Sequence, residues 1–558
     1  MLVEQQRSRS QVARLRGGRV YRLVLSVFAL VCASFFCSTC AVATYQDTVG
    51  YPQLQVQLGA SIPTGAGIEV QHVEASNSVG RYFPGAHAEF SGKSLTNVTF
   101  NAGATQGNTV ASGHARDIGI TFYGNTVSIA PGITDIQSYE VFHWLGYNLN
   151  TTTNALTPTP SGFLNTGSSS SVLPDVTTAR VANHSWVTQF TTGSTNSEAL
   201  RRLDYVVERD DFLNVVGILN GNGGTDLGLL KTAFNDISVG RTDGVHREGT
   251  MGVDSRYTAG RVAPELVAPG FGSNDDTDGE PPVLLTSASS ATAMVSSATA
   301  LLLEVAQNPL LSDATITNRT RTINHAETSE VIKAVLMAGA DRAVDNPRGP
   351  DLTNYTIDTA NNLDLDYGAG QLNVFNSYNI LAAGEHTSDQ DRGSNLDIAN
   401  LGWDYDPHFG GADSTNNRGS YFFTAANNGG HLHATLAWNI QVTGFSSSAS
   451  NTTLRDLNLV LFDVTNNQVV SGLGASSLST TENTENIFFS GLVAGNRYEI
   501  RVESASGQPA FDWDYGLAWR ISGIVGQVPE PSNVAISILG VLSVFAAGRL
   551  RYRASRVA

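Results

Sequence analysis

The chain has 558 residues, of which 41% are apolar and 15% charged, enough for a large core and more than one domain. Its net charge is −17; with the basic ends (1–43 and 529–558) set aside, 23 basic face 48 acidic side chains, a net charge of −25. Such a body repels phosphate backbones and argues against a nucleic-acid partner, and its apolar content argues against disorder.

At the N-terminus Arg7, Arg9, Arg14, Arg16, Arg19 and Arg22 precede the apolar "LVLSVFALVCASFF" and the small-residue site Ala41-Val42-Ala43. That order predicts a signal peptide over 1–43; the apolar run is short of the roughly 20 residues a membrane span needs. Cys32, Cys37 and Cys40 all lie inside it. A chain processed there has no disulfide, no thiolate-held metal and no thiol nucleophile.

From about 60 to 383, strand-like and helical patterns alternate, which predicts an α/β region with a parallel sheet. "GIEVQHVEA" is strand-like and ends near Glu74. "SGHARDIGITFYGN" opens a small-residue helix after a glycine and carries His114. "TARVANHSWV" is a strand that reaches Ser185 and Trp186, and "EALRRLDYVVERDD" is a helix. "FLNVVGIL" is a buried strand leading to Asn220, with Asn222 a one-position alternative. "DISVGRT" is a further strand.

In "SNDDTDGE", Asn274, Asp276, Asp278 and Gly279 fall on the first spacings of an EF-hand loop. Position twelve is Leu285 instead of Glu, so the motif is incomplete and the stretch reads as a solvated acidic loop. We expect no required cofactor and no metal ligands, with calcium left open.

"SASSATAMVSSATALLLE" (287–304) crowds hydroxyls among alanines before a leucine run. As a helix it presents Ser289 in its first turn, where free N–H groups and the dipole favour developing negative charge. Its small residues let the helix lie close to a sheet. "SEVIKAVLMAGAD" is an apolar-periodic helix.

Beyond "GAGQLNVFNSYNILAAG" the period changes to two. "HLHATLAWNIQV" alternates through Leu432, Ala434, Leu436, Trp438, Ile440 and Val442; "DLNLVLFDV", "NRYEIRVES" and "DYGLAWRIS" alternate likewise. This predicts an all-β sandwich over 384–525. The tail runs Pro529-Glu530-Pro531, an apolar stretch from Val534 to Ala547, then Arg549, Arg551, Arg553 and Arg556, the order of a stop-transfer element with a cytoplasmic basic end.

Two resemblances follow. The segment 287–303 aligns without gaps on the nucleophile helix of subtilisin-like serine peptidases, G-T-S-x-A-A-P-x-V-A-G-x-A-A-L-L, with Ser289 at the nucleophile. It departs from that pattern at Ser287 for Gly, Ala288 for Thr and Ala293 for Pro. "NDISVGRTDG", "RVAPELVAPG", "EVIKAVLMAGAD" and "LDYGAGQLNVFNSY" resemble further family segments in family order. The resemblance implies a subtilisin-like α/β peptidase domain over 44–383, cleaving proteins or peptides. His114 would be the base, with Asp117 in place of the family's second histidine. Glu74 would stand where the family has Asp to orient the base, with Asp117 and Asp47 as other carboxylates. Asn220 would be the oxyanion donor. "VANHSWV" resembles the family's substrate-pairing edge strand, which makes Ser185 and Trp186 substrate-binding.

The tail (526–558) resembles the PEP-CTERM sorting signal of Gram-negative bacteria. It implies export, transient anchoring in the inner membrane and processing by an exosortase-type enzyme. The sandwich resembles pre-peptidase C-terminal domains. An active exported serine endopeptidase and a catalytically impaired pseudoprotease that binds at the cell surface or matrix are the two functions this sequence allows.

Overall fold

The computed structural model describes residues 45–522 apart from 78–79, 99–110, 151–154, 160–161, 222–227, 273–284, 313, 318–319, 344–351, 394 and 411–415. The signal peptide, the sorting signal, Asn222 and the acidic loop at 273–280 lie outside the described residues. The chain divides into two units, Met1–Asp47 and Thr48–Ala558, and every element below belongs to the second.

Seven parallel strands form the first layer: β1 (Val70–Glu74), β2 (Ser94–Val98), β3 (Asp135–Glu140), β4 (Val181–His184), β5 (Leu213–Gly217), β6 (Ile237–Arg241) and β7 (Leu266–Ala268). Their order across the sheet is β2-β3-β1-β4-β5-β6-β7. In β1, β4, β5, β6 and β7 every residue is buried, as expected of strands covered on both faces. Helices α1 (Gly113–Tyr123), α2 (Gly193–Asp210), α3 (Ala288–Ala306), α4 (Ser329–Gly339) and α5 (Val374–Ala382) complete the layer. The predicted elements at 67–75, 112–125, 198–211, 212–219, 236–242, 287–304 and 329–341 all form.

Helix α3 runs through the middle of the core. Among the described residues it is the one helix long and apolar enough to cross a membrane, and most of it is buried in protein. Its hydroxyls are satisfied internally. Thr292 and Thr299 donate to the carbonyls of Ala288 (2.7 Å) and Val295 (2.8 Å). Ser296 donates to Asn183 Oδ1 on β4 (3.0 Å) and Ser297 to the Phe122 carbonyl on α1 (2.6 Å). Gly217 on β5 marks a close approach: a Cβ there would lie 2.7 Å from Thr292 Oγ1.

The second layer is a sandwich. One sheet has the order β8 (Leu401–Phe409), β14 (Trp513–Ile521), β10 (Gly430–Ala437), β12 (Thr484–Leu492). The other pairs β9 (Arg418–Thr424), β13 (Arg497–Ser504) and β11 (Leu457–Asp463), with two short strands beside β11. Phe409, Tyr421, Phe423, Leu432, Leu436, Leu459, Ile500 and Trp519 fill the space between them.

The sandwich is seated on the α/β layer through α4, which packs on β14 and β10. A Cβ on Gly516 would lie 2.6 Å from the backbone of α4 at Glu330 and Val331. Arg520 caps α4 by donating to the carbonyls of Ala338 (2.9 Å) and Ala340 (2.8 Å). Asn235 of the α/β layer accepts from the Ile440 N–H (2.8 Å) and donates to its carbonyl (3.1 Å). Asn483 donates to the carbonyls of Phe234 and Trp438, both at 2.8 Å. This contact explains why alternation fades along β10: Thr435 and Ala437, expected outside, are buried as well.

Candidate active site

The C-terminal ends of β1, β4 and β5 and the N-termini of α1 and α3 supply the side chains singled out in the sequence. A parallel sheet places its ligand-facing loops at that edge. Glu74 is the last residue of β1 and is 1% exposed. His114 is the second residue of α1, whose N-cap Ser112 accepts from the Ala115 N–H (3.4 Å). His114 Nδ1 lies 2.8 Å from Glu74 Oε2. That bond leaves Nε2 as the ring nitrogen without a hydrogen bond among the described residues, the position from which a base takes a proton.

Electrostatics support the pairing. Burial alone would raise the Glu74 carboxyl, but the attraction of His114 and hydrogen bonds from His114 and His72 hold it below its ordinary value. The Glu74 charge in turn raises His114 above its ordinary value, against the opposing effect of burial. Asp117, one turn further along α1, adds a smaller pull in the same direction. Glu74, not Asp117, therefore holds the ring; Asp47 belongs to the other unit.

Ser289 sits in the first turn of α3 and is partly exposed. The neighbouring donors are spoken for. The Ala288 N–H goes to Asn220 Oδ1 (2.7 Å), the Ser290 N–H to the Ser287 hydroxyl (3.2 Å) and the Ala291 N–H to the Ser287 carbonyl (3.3 Å). The Ser289 N–H is left open among the described residues. Because Asn220 accepts through Oδ1, its amide NH2 is the other open donor. Two unengaged N–H donors beside a serine hydroxyl are what an oxyanion site requires. The Ser289 hydroxyl itself donates to the Ser185 carbonyl (3.3 Å), not to His114, while the Ser185 hydroxyl donates to the Ser289 carbonyl (3.0 Å).

One expectation is corrected. The strand before Ser185 is not an edge strand: β4 pairs with β1 on one side and β5 on the other. Burial on both faces and on both edges demands this. The chain leaves the ladder only after His184, so Ser185 and Trp186 follow the strand. Trp186 is buried in a hydrophobic cluster of the α/β layer, edge-on to His184 at 5.6 Å between ring centres.

The sequence reading also missed His72 and Tyr123. His72 Nε2 is 3.1 Å from Glu74 Oε1, and His72 Nδ1 is 2.9 Å from the Tyr123 hydroxyl. The available signal was the i, i+2 spacing of His72 and Glu74, which puts both on one face of β1. Glu140, in register beside Glu74 on β3, was missed too; burial raises it to about 7. No group of three or more His, Cys, Asp or Glu residues able to hold a metal occurs among the described residues.

Seven parallel strands with flanking helices, and this site at their C-terminal edge, define a subtilisin-like α/β fold. Residues 161–370 match the peptidase S8 subtilase family. Among solved structures, the chain is similar to the protease domain of PatA, determined as a serine-to-alanine mutant, at 17% identity and a TM-score of 0.35, covering 58% of this chain and 98% of that one. It is also similar to the prenylagaramide maturation protease PagA at 15% identity and a TM-score of 0.35, covering 60% and 99%. No curated protein matches the chain.

Proposed function

We propose that the protein is an exported serine endopeptidase acting on proteins or peptides through Ser289, His114 and Glu74. The observation that carries this reading is the 2.8 Å bond between His114 and Glu74, built where the α/β layer presents a helix-borne serine. Ser289 attacks the scissile carbonyl as His114 Nε2 takes its proton. Glu74 holds the ring and stabilises the imidazolium. The tetrahedral oxyanion is received by the Ser289 N–H and the Asn220 amide. His114 then protonates the leaving amine, and water repeats the cycle on the acyl-enzyme. Ser185, joined to Ser289 by two hydrogen bonds, seats the first turn of α3 and offers the chain beyond β4 to substrate. The basic n-region and the Pro-Glu-Pro, apolar, arginine order of the tail support export, transient anchoring in the inner membrane and trimming by an exosortase-type enzyme.

A pseudoprotease is the second reading, favoured by the Ser289 hydroxyl pointing at the Ser185 carbonyl. Apo geometry of this kind tightens on substrate binding in active enzymes. A fluorophosphonate probe separates the two. Labelling of the purified full chain at Ser289, abolished in Ser289→Ala, is the expected result; absence of labelling in the wild type overturns the peptidase reading.

A further inference from the structure

Glu74 raises a steric question that His72 answers. A glutamate carries one methylene more than an aspartate, and with it one more rotatable bond, so a strand-end Glu can point its carboxylate in several directions. Here the carboxylate is clamped from both sides. Oε2 faces His114 Nδ1 at 2.8 Å, and Oε1 faces His72 Nε2 at 3.1 Å.

His72 is itself fixed. Its ring is fully buried, its Nδ1 meets the Tyr123 hydroxyl at 2.9 Å, and the two rings pack edge-on at 5.7 Å. A carboxylate only accepts, so Nε2 carries the proton; in the neutral ring Nδ1 is then an acceptor and Tyr123 the donor. Burial and the nearby Glu74 charge keep the Tyr123 hydroxyl protonated. Room for that hydroxyl comes from Gly119, where a Cβ would lie 2.6 Å from Tyr123 Oη. Glycine inside a helix costs about 1 kcal/mol relative to alanine, so an interior glycine needs a packing reason, and this is one. Tyr123 closes the same helix that His114 opens. A chain Tyr123–His72–Glu74–His114 therefore leaves α1, crosses β1 and returns to α1.

We propose that His72 is a positioning residue, held by Tyr123, that fixes the Glu74 carboxylate in the orientation His114 needs. The proposal rests on the assignment of His114 and Glu74 above. Among the described residues, the other ionisable groups around this chain include Asp117 on α1, Glu140, in register beside Glu74 on β3, and His184 on β4, the latter lowered to about 4 by burial.

The test compares wild type, His72→Phe, His72→Gln and Tyr123→Phe in the full chain. The first readout is the titration of His114, followed by NMR on histidine-labelled protein; the second is the rate of fluorophosphonate labelling. With His72→Phe, Glu74 gains rotamers, so His114 titrates at lower pH than in wild type. Labelling slows by up to about 100-fold, the scale of a misplaced catalytic group. Tyr123→Phe moves both readouts the same way by less, and His72→Gln, which restores one N–H donor, recovers part of each. An unchanged His114 titration in both His72→Phe and Tyr123→Phe overturns the proposal, even if stability falls. A wild type that fails to label while the titration still responds to His72 overturns the peptidase reading and leaves the positioning role standing.

Discussion

His114 Nδ1 and Glu74 Oε2 are 2.8 Å apart, one at the start of a helix and the other at the end of a buried strand. Replacing Glu74 by Gln keeps the volume but presents no charge to the imidazolium. We expect Glu74→Gln to lower kcat by about 10⁴-fold, as loss of the orienting carboxylate does in such triads. Glu74→Asp keeps the charge and is milder, though its shorter side chain cannot span His114 and His72 as Glu74 does. Steady-state kinetics on a peptide substrate decide; near-normal kcat in Glu74→Gln would remove Glu74 from the mechanism.

On the proposed mechanism, Ser289 and Ser287 separate chemistry from scaffolding two residues apart. Ser289→Ala should abolish hydrolysis, a loss of about a millionfold in kcat. Ser287 is the N-cap of α3, its hydroxyl accepting from the Ser290 N–H at 3.2 Å. Ser287→Ala should cost about 1 kcal/mol of stability and leave most of the activity. Melting curves and kcat on both variants test the pair, and the reverse pattern would show that the nucleophile has been misplaced.

The proposed mechanism gives Asn220 two jobs, and one substitution splits them. Its Oδ1 accepts from the Ala288 N–H at 2.7 Å while its NH2 remains open. Asn220→Asp keeps an acceptor for Ala288 but offers no donor to the oxyanion. A fall in kcat of about 10²- to 10³-fold with little change in KM is expected. A change confined to KM would move the oxyanion donor elsewhere.

The Glu74–His114 pair sets opposite pH demands on stability and activity. His114 is raised above 6.5, so its stabilisation is complete below 6.5 and is lost as pH rises through its raised value. Glu74 is lowered below 4.5, so its stabilisation is present above 4.5 and is lost as pH falls through its depressed value. The pair therefore contributes most between about pH 4.5 and 6.5, whereas the proposed catalysis needs His114 neutral, at pH above its raised value. Tm against pH for wild type and Glu74→Gln, set beside the kcat/KM profile, should show the activity limb rising where the stability difference declines. Coincident optima would contradict the assignment.

Asn483 donates to two carbonyls, Phe234 of the α/β layer and Trp438 of the sandwich. Asn483→Ala leaves the buried Trp438 carbonyl short of its donor, while the Phe234 carbonyl keeps Lys333 Nζ at 3.0 Å, at a cost of about 1–3 kcal/mol. The expected result is a lower denaturant midpoint with kcat unchanged in the folded fraction. An unaltered midpoint would mean that water takes over the bonds.

Most of the α/β layer was legible because fully buried strands and periodic helices write themselves as unbroken apolar runs and 3.6-residue repeats. The strands at Ser94–Val98 and Asp135–Glu140 went unread: they lie at one side of the sheet, and polar residues such as Asn97, Gln137 and Ser138 break the apolar runs. His114 and Glu74 could be picked out one at a time, yet the i, i+2 spacing of His72 and Glu74 discloses only a shared face of β1, not that His72 grips the same carboxylate. That depends on the register of β1 and on Tyr123 arriving from α1. The position of β4 inside the sheet was hidden for a like reason, since strand order is decided by crossovers and not by local pattern.

The last described strand, β14, sits between β8 and β10 and lies against α4. During synthesis, residues 70–383 become available before Trp513–Ile521. Until that final strand is in place, the sheet covering α4 has a gap at its centre and the carbonyls at the end of α4 lack Arg520. Order of emergence thus makes the covering of α4 one of the last contacts the growing chain can complete. On the proposed reading of an exported peptidase, such a delay would act as a timer that keeps the cutting edge blunt until delivery.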